Sequence, residues 1–290
     1  MSPALRGALW MVLTVLSFVA MAVAGRELAG TMSPFETVAV RSLVGIIVLL
    51  PIAAMQGFSV LSTKRLKLHV ARNAVHFVGQ VSWFYALGSL ALAMVTAIEF
   101  TMSLWAIVLA GLFIGERIDA RRGATVVIGF LGVLVILRPG MQEVSAAALI
   151  MLMGAGFYGG SITMVKSLTR TESALSVVFY MNVIQFLLGL AVSVFDWTWP
   201  QWHDAPWIFL VGVCGLTAHY TFARALALAD VSVVSPIDFL RLPATAVVGF
   251  LAYAEVVDIW VWVGAALVFG ANYYNVWRAS RRAPAPVEAG

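Results

Sequence analysis

From Ser42 to Thr63 the chain runs without a single Asp, Glu, Lys or Arg, and equally uncharged stretches recur at 73–98, 100–115, 123–137, 144–165, 173–195, 205–223 and 259–277. A helix rises about 1.5 Å per residue, so roughly 20 apolar residues cross about 30 Å of hydrocarbon. Adding 7–25, and 232–254 with its two internal charges, the pattern predicts ten spans. Composition agrees: 62% of residues are hydrophobic and 11% charged, where a soluble domain has about 25% charged. The expected class is an all-α polytopic membrane protein embedded in a lipid bilayer.

The start of the chain, "MSPALRGALWMVLTVLSFVAMAVAG", has a basic residue, an apolar run and Ala22-Val23-Ala24, so it also fits a cleavable signal peptide. The run is long for a signal, and the segment has a counterpart later in the chain, so it is read as the first span. The lone cysteine, Cys214, lies inside an apolar run and allows no intrachain disulfide.

That counterpart belongs to an internal repeat. Displaced by 139 residues, "IEFTMSLWAIVLAGLFIGERID" (98–119) lies without gaps on "IDFLRLPATAVVGFLAYAEVVD" (237–258), so Glu99 meets Asp238, Phe100 meets Phe239 and Glu116 meets Glu255. Displaced by 140, 33–50 lies on 173–190. The chain therefore divides into two five-span halves, 1–140 and 141–278, followed by a disordered tail, 279–290. Because five is odd, the second half enters the membrane from the opposite side. With the N-terminus inside, thirteen basic residues fall on cytoplasmic segments, Lys64, Arg65, Lys67 and Arg72 among them, against two, Arg26 and Arg138, on the other face. Both termini are thus expected in the cytoplasm, with the chain in the inner membrane. The net charge of +4 is a topology signal and implies no nucleic-acid partner.

Inverted repeats of membrane helices are the architecture of secondary transporters, which bind substrate between the halves and alternate access. Three pieces carry a more specific resemblance: "FETVAVRSLVGIIVLLP" with Arg41, "FIGERIDARRGATVVIGFLGVLVILRPG" (113–140) and "SPIDFLRLPATAVVGFLAYAE". On these the chain resembles EamA-type members of the drug/metabolite transporter superfamily along nearly its whole length. The resemblance implies a carrier for a small polar or zwitterionic metabolite, and is similar in detail to members that move S-adenosylmethionine, riboflavin or amino acids, with import and export both open. The family usually has a proline in the fourth span of each half, but here Pro243 is matched by Leu104. Unwinding is accordingly expected in the ninth span rather than the fourth.

Charges inside spans are the leading site candidates, because each costs about 2.5–3.5 kcal/mol at the bilayer centre and must face a partner or a cavity. Glu99 is placed about 8 Å below one surface and Asp238 about as far from the other. Depth pairs Glu99 with Arg41, and Asp238 with Arg224 or with Arg241, three residues on. Plain structural ion pairs are the alternative to roles as proton carrier, substrate clamp or gate latch. Arginine holds its proton, so Arg41, Arg224 and Arg241 are anion binders or latches; Glu99 and Asp238 are candidates to carry a coupling proton. The polar residues His76, Gln80, Asn182, Gln185 and His219, and the aromatics Trp83, Tyr85 and Tyr220, complete the candidate lining, with helix packing as their alternative use. Asn272 and the aromatics Trp105, Phe157, Tyr158 and Tyr180 are weaker candidates of the same kind. Glu116 and Glu255 are expected to anchor helix ends. No metal site or cofactor is expected, and the Gly-x-Ser-x-Gly and His-Glu-x-x-His signatures of enzymes are absent. A channel or sensor without coupled transport is the main competing class, and a homodimer stays open.

Overall fold

The computed structural model describes residues 3–114, 119–141, 143–169, 171–229 and 231–282. Twelve α-helices account for nearly all of them: α1 (Pro3–Leu28), α2 (Pro34–Gln56), α3 (Leu66–Leu87), α4 (Leu92–Glu99), α5 (Met102–Ile114), α6 (Ala120–Leu137), α7 (Ala146–Leu168), α8 (Ala174–Ser193), α9 (Ala205–Leu228), α10 (Val231–Asp238), α11 (Arg241–Tyr253) and α12 (Ile259–Arg282). The described residues contain no strand. Helix starts follow the local chemistry. Ser33 and Glu36 close a capping box at α2, and Asp119, Ser145 and Ser173 each accept a hydrogen bond from the third residue of the helix they open.

Among the described residues eight helical stretches are long and apolar enough to cross a membrane, and the chain is a multi-pass membrane protein. α3 and α12 have the length, 22 and 24 residues, but are more polar. The uncharged run 73–98 is not one helix: α3 ends at Leu87 and α4 begins at Leu92. Glycine and leucine carry no charge in either state, so the turn between them left no mark on the charge pattern. Arg72, expected in a connecting loop, is the seventh residue of α3 and buried.

Successive rods alternate in direction. On the face away from the N-terminus, Arg26 pairs with Glu255 at 2.7 Å, Thr31 donates to Asp204 at 2.9 Å, and Arg138 pairs with Asp258. On the N-terminal face, Thr63 donates to Glu172 at 2.7 Å and Arg65 to the Ser167 carbonyl at 2.6 Å. We call these the far and near faces. α1 is a full member of the bundle, lying along α9 with its Thr14 hydroxyl 2.8 Å from that of Thr221. α3 lies along α7, α2 along α8, α6 along α12, and α4 against α11. The α6–α12 contact depends on Gly132 and Gly264: a Cβ on Gly132 would come within 2.6 Å of the Gly264 carbonyl, and one on Gly264 within 2.4 Å of the Gly132 carbonyl. Such small residues let helix backbones approach closely enough for dispersion to hold them in an apolar solvent.

Two rods are broken near their middle. α4 stops at Glu99 and α5 starts at Met102; α10 stops at Asp238 and α11 starts at Arg241. The expectation that only the proline-bearing rod would unwind is therefore corrected. Pro243 sits in the first turn of α11, where its missing N–H costs nothing. In the other rod a tertiary contact does the work. The Leu104 N–H turns to Thr101 O at 2.9 Å, and the carbonyl of Phe100 accepts instead from Asn272 Nδ2 of α12 at 3.0 Å. Asn272 Oδ1 in turn accepts from the Ser103 hydroxyl at 2.6 Å. A freed backbone acceptor in hydrocarbon needs a replacement donor, and this one comes from a helix distant in sequence.

Candidate functional site

Glu99 and Asp238 are each the eighth and last residue of a short helix, so each lies about 12 Å along its rod. That brings them to the bundle's middle rather than to opposite surfaces, and one side chain joins them. Arg241 Nη1 donates to Glu99 Oε1 at 2.9 Å, Nη2 donates to Asp238 Oδ2 at 3.3 Å, and Nε lies 2.9 Å from Asp238 Oδ1. The other Glu99 oxygen accepts from Trp83 Nε1 at 2.9 Å. The guanidinium is also flanked by rings, with Cζ 4.6 Å from the centroid of Phe18 and 4.9 Å from that of Phe100. Charge, hydrogen bonds and ring faces together hold a cation that is 3% exposed and a carboxylate that is 7% exposed. Phe100 in turn stacks on Phe239 with centroids 4.2 Å apart, so the residues just after each break touch.

The expected pairing of Arg41 with Glu99 does not form. Arg41 is 1% exposed, and its Nε, Nη1 and Nη2 have no acceptor among the described residues. Depth alone had matched the two residues, but helix rotation separates them. α2 turns Arg41 toward α9, where Gly215 makes room for it: a Cβ there would lie 3.0 Å from Arg41 Nε. Glu99 instead faces α3 and α11. Nor does Arg224 reach Asp238; it is exposed on α9 with its guanidinium 6.0 Å above the Trp10 ring.

Around Arg41 gathers a second group of buried polar residues. Arg72 donates to Asn73 Oδ1 at 2.7 Å, while its Nε has no acceptor among the described residues. The rings of Tyr158, His76, His219 and Phe18 follow one another at centroid distances of 5.0, 5.7 and 5.7 Å. The charges of Arg41 and Arg72 reach His76, His219 and Tyr158. Asn182 packs against Gly45 of α2, where a Cβ would meet its Oδ1 at 2.3 Å, and two turns on Gly189 meets Ala39, so Gln185, between them, lies level with Arg41. Both amide atoms of Gln185, Gln80 Oε1, His76 Nε2 and Ser42 Oγ are buried without a partner among the described residues.

Of the expected site residues, Glu99, Asp238, Arg241 and Trp83 form the first group, and Arg41, His76, Gln80, Asn182, Gln185 and His219 the second. Tyr85, Tyr220 and Arg224 join neither. Tyr85 lines a cavity of about 270 Å³ toward the far face, and Tyr220 meets Trp10 edge-on at 6.4 Å. Trp105 and Phe157 line a lateral groove of about 770 Å³ against α3 and α7. Glu255 does anchor a helix end, accepting from the Leu92 N–H at 2.8 Å; Glu116 lies outside the described residues. Several participants escaped the sequence reading, Phe100, Asn73 and Ser42 among them. Arg72 was hidden among the basic residues of a loop, and Phe18 gave no signal in an apolar helix.

Similarity to known proteins bears on the fold and the family. A solved crystal structure superposes with a TM-score of 0.65 at 16% identity, covering 95% of this chain and 98% of that one, and so shares the fold. The chain is 30% identical over 284 residues to a riboflavin transporter of Vibrio cholerae, covering 96% of this chain and 95% of the relative. It is 26% identical over 273 residues to an S-adenosylmethionine uptake transporter of Rickettsia felis, covering 94% and 93%. The profile of the EamA-like transporter family matches residues 5–138 and again residues 145–277, so a multi-pass helical bundle with buried charges between broken helices belongs to that family of transporters.

Proposed function

We propose that this protein is a secondary transporter that moves a small polar or zwitterionic organic metabolite across the inner membrane by alternating access. The observation that carries the reading is the Glu99–Arg241–Asp238 cluster, buried at mid-bundle where two broken helices meet. Ten spans in two inverted halves, 1–140 and 141–278, supply the moving parts. The double family match supports that division. So does the packing: exchanging the helices of one half for their repeat partners turns α1–α9 into α7–α3 and returns α2–α8, α6–α12 and the α4/α5–α10/α11 contact to themselves. Both termini face the cytoplasm, since moving Arg72 out of the loop count leaves the basic bias intact.

The cluster holds two acids and one guanidinium, so one acid takes up a proton without the other losing its cation. Asp238 is the better carrier, because Glu99 has the additional Trp83 donor, while Asp238 Oδ1 has only the ion-pair contact with Arg241 Nε and no hydrogen bond among the described residues. Riboflavin, S-adenosylmethionine and amino acids are the first substrates to try. Purified protein in vesicles should show saturable uptake and counterflow of one of them. Asp238→Asn should abolish pH-driven accumulation while sparing exchange. Uptake linear in concentration with no counterflow for any metabolite of a cell extract would sink the carrier reading in favour of a channel.

A further inference from the structure

Two guanidinium groups in the second polar group are incompletely matched. Arg41 carries five N–H donors and has no acceptor among the described residues, although it is among the most deeply buried side chains. Arg72, 6% exposed, has one amide oxygen on its Nη1 and none on its Nε. The two cations are near enough to act on each other electrostatically. Among the described residues neither has a carboxylate partner: Glu99 is committed to Arg241 and Trp83, and Glu172 sits with Thr63 and beside His69 at 3.8 Å. An unpaired charge in low dielectric costs several kcal/mol, and two like charges within electrostatic reach of each other cost more. An uncompensated pair of this kind is stable in a transporter when its counter-charge arrives from solution.

We infer that the substrate carries an oxyanion, a carboxylate or a phosphate, and that Arg41 and Arg72 receive it between α2, α3 and α9. The planar guanidinium fork is complementary to both groups. The neighbours suit the rest of such a molecule. Gln80 and Gln185 offer unused amide atoms, and Tyr158 and His76 offer ring faces. The inference rests on the carrier reading for the word substrate, but the binding chemistry is separable from transport.

The test uses purified full-length protein and small probes at constant ionic strength: benzoate against the isosteric, uncharged benzamide, inorganic phosphate, and chloride. Benzoate or phosphate should raise the melting temperature saturably while benzamide does not, and the preferred anion reports whether a carboxylate or a phosphate fits. Arg41→Lys should weaken the apparent affinity at least tenfold, and Arg41→Met should remove the effect. If Arg41→Met fails to fold, Arg72→Gln serves instead and should weaken it likewise. Equal stabilisation by benzamide, persistence in Arg41→Met, or an effect of chloride as large as that of the oxyanions, meaning an adventitious ion only, would overturn the assignment. Absence of any anion effect in a protein that still shows counterflow would remove this inference and leave the transport reading standing. Loss of counterflow with intact oxyanion binding would do the reverse.

Discussion

Arg241 and Arg41 are buried to nearly the same degree, on helices that pass through the same layer of the bundle, yet their surroundings are opposite. Arg241 has two carboxylates and two aromatic faces; Arg41 has three nitrogens without an acceptor among the described residues. Burial of an arginine therefore does not by itself say whether the fold or a ligand is its partner. What separates the cases is whether the protein supplies the counter-charge. The first arrangement is self-contained and resists change, and the second is incomplete as folded.

The sharpest way to break this contrast is to remove the satisfied cation. Arg241→Met leaves Glu99 and Asp238 buried together without a counter-charge, and should cost about 3–5 kcal/mol in thermal unfolding of the purified protein. Adding Glu99→Gln and Asp238→Asn to the same protein should recover most of that loss. A triple variant no more stable than the single one would mean that the cluster is not an ion-pair unit. Trp83→Phe is milder. It removes one donor from a carboxylate that keeps its guanidinium, and should cost about 1–3 kcal/mol in the same measurement. The least disruptive substitution should be Arg41→Met: with no acceptor among the described residues to orphan, it should leave the melting temperature unchanged or raise it. A destabilisation as large as that of Arg241→Met would show that Arg41 is paired after all, and the comparison would fall.

How far the sequence carried the interpretation depended on whether a feature was local. Uncharged runs gave most of the helices, and the three-residue spacing of Asp238 and Arg241 gave a pair that does form, although across the break between α10 and α11 rather than on one helix face. The matched positions of Glu99 and Asp238 pointed to two acids that share one guanidinium, each at the break of its rod. The partner of Glu99 did not follow, because depth along a helix fixes height but leaves the direction of a side chain free over a full turn. The break after Glu99 was invisible for another reason: Asn272, which donates to the freed Phe100 carbonyl, is 172 residues away from it. Arg72 illustrates a third limit. A buried cation nearly two turns inside a helix looks the same, in sequence, as the cations that precede it.

The short helix α4 is pinned at both ends by acids. At its start the Glu255 carboxylate holds the Leu92 N–H and also grips Arg26 at the far face; at its end its own Glu99 is held by Arg241. A rod of eight residues is too short to bend, so it acts as a strut between the rim of the protein and its middle. Any excursion that parts the rim at Glu255 must either drag the strut, and with it Glu99, or let go of its upper end. Which fastening yields first would set the order in which the surface and the centre respond, and hence the timing of the cycle rather than the affinity of any state.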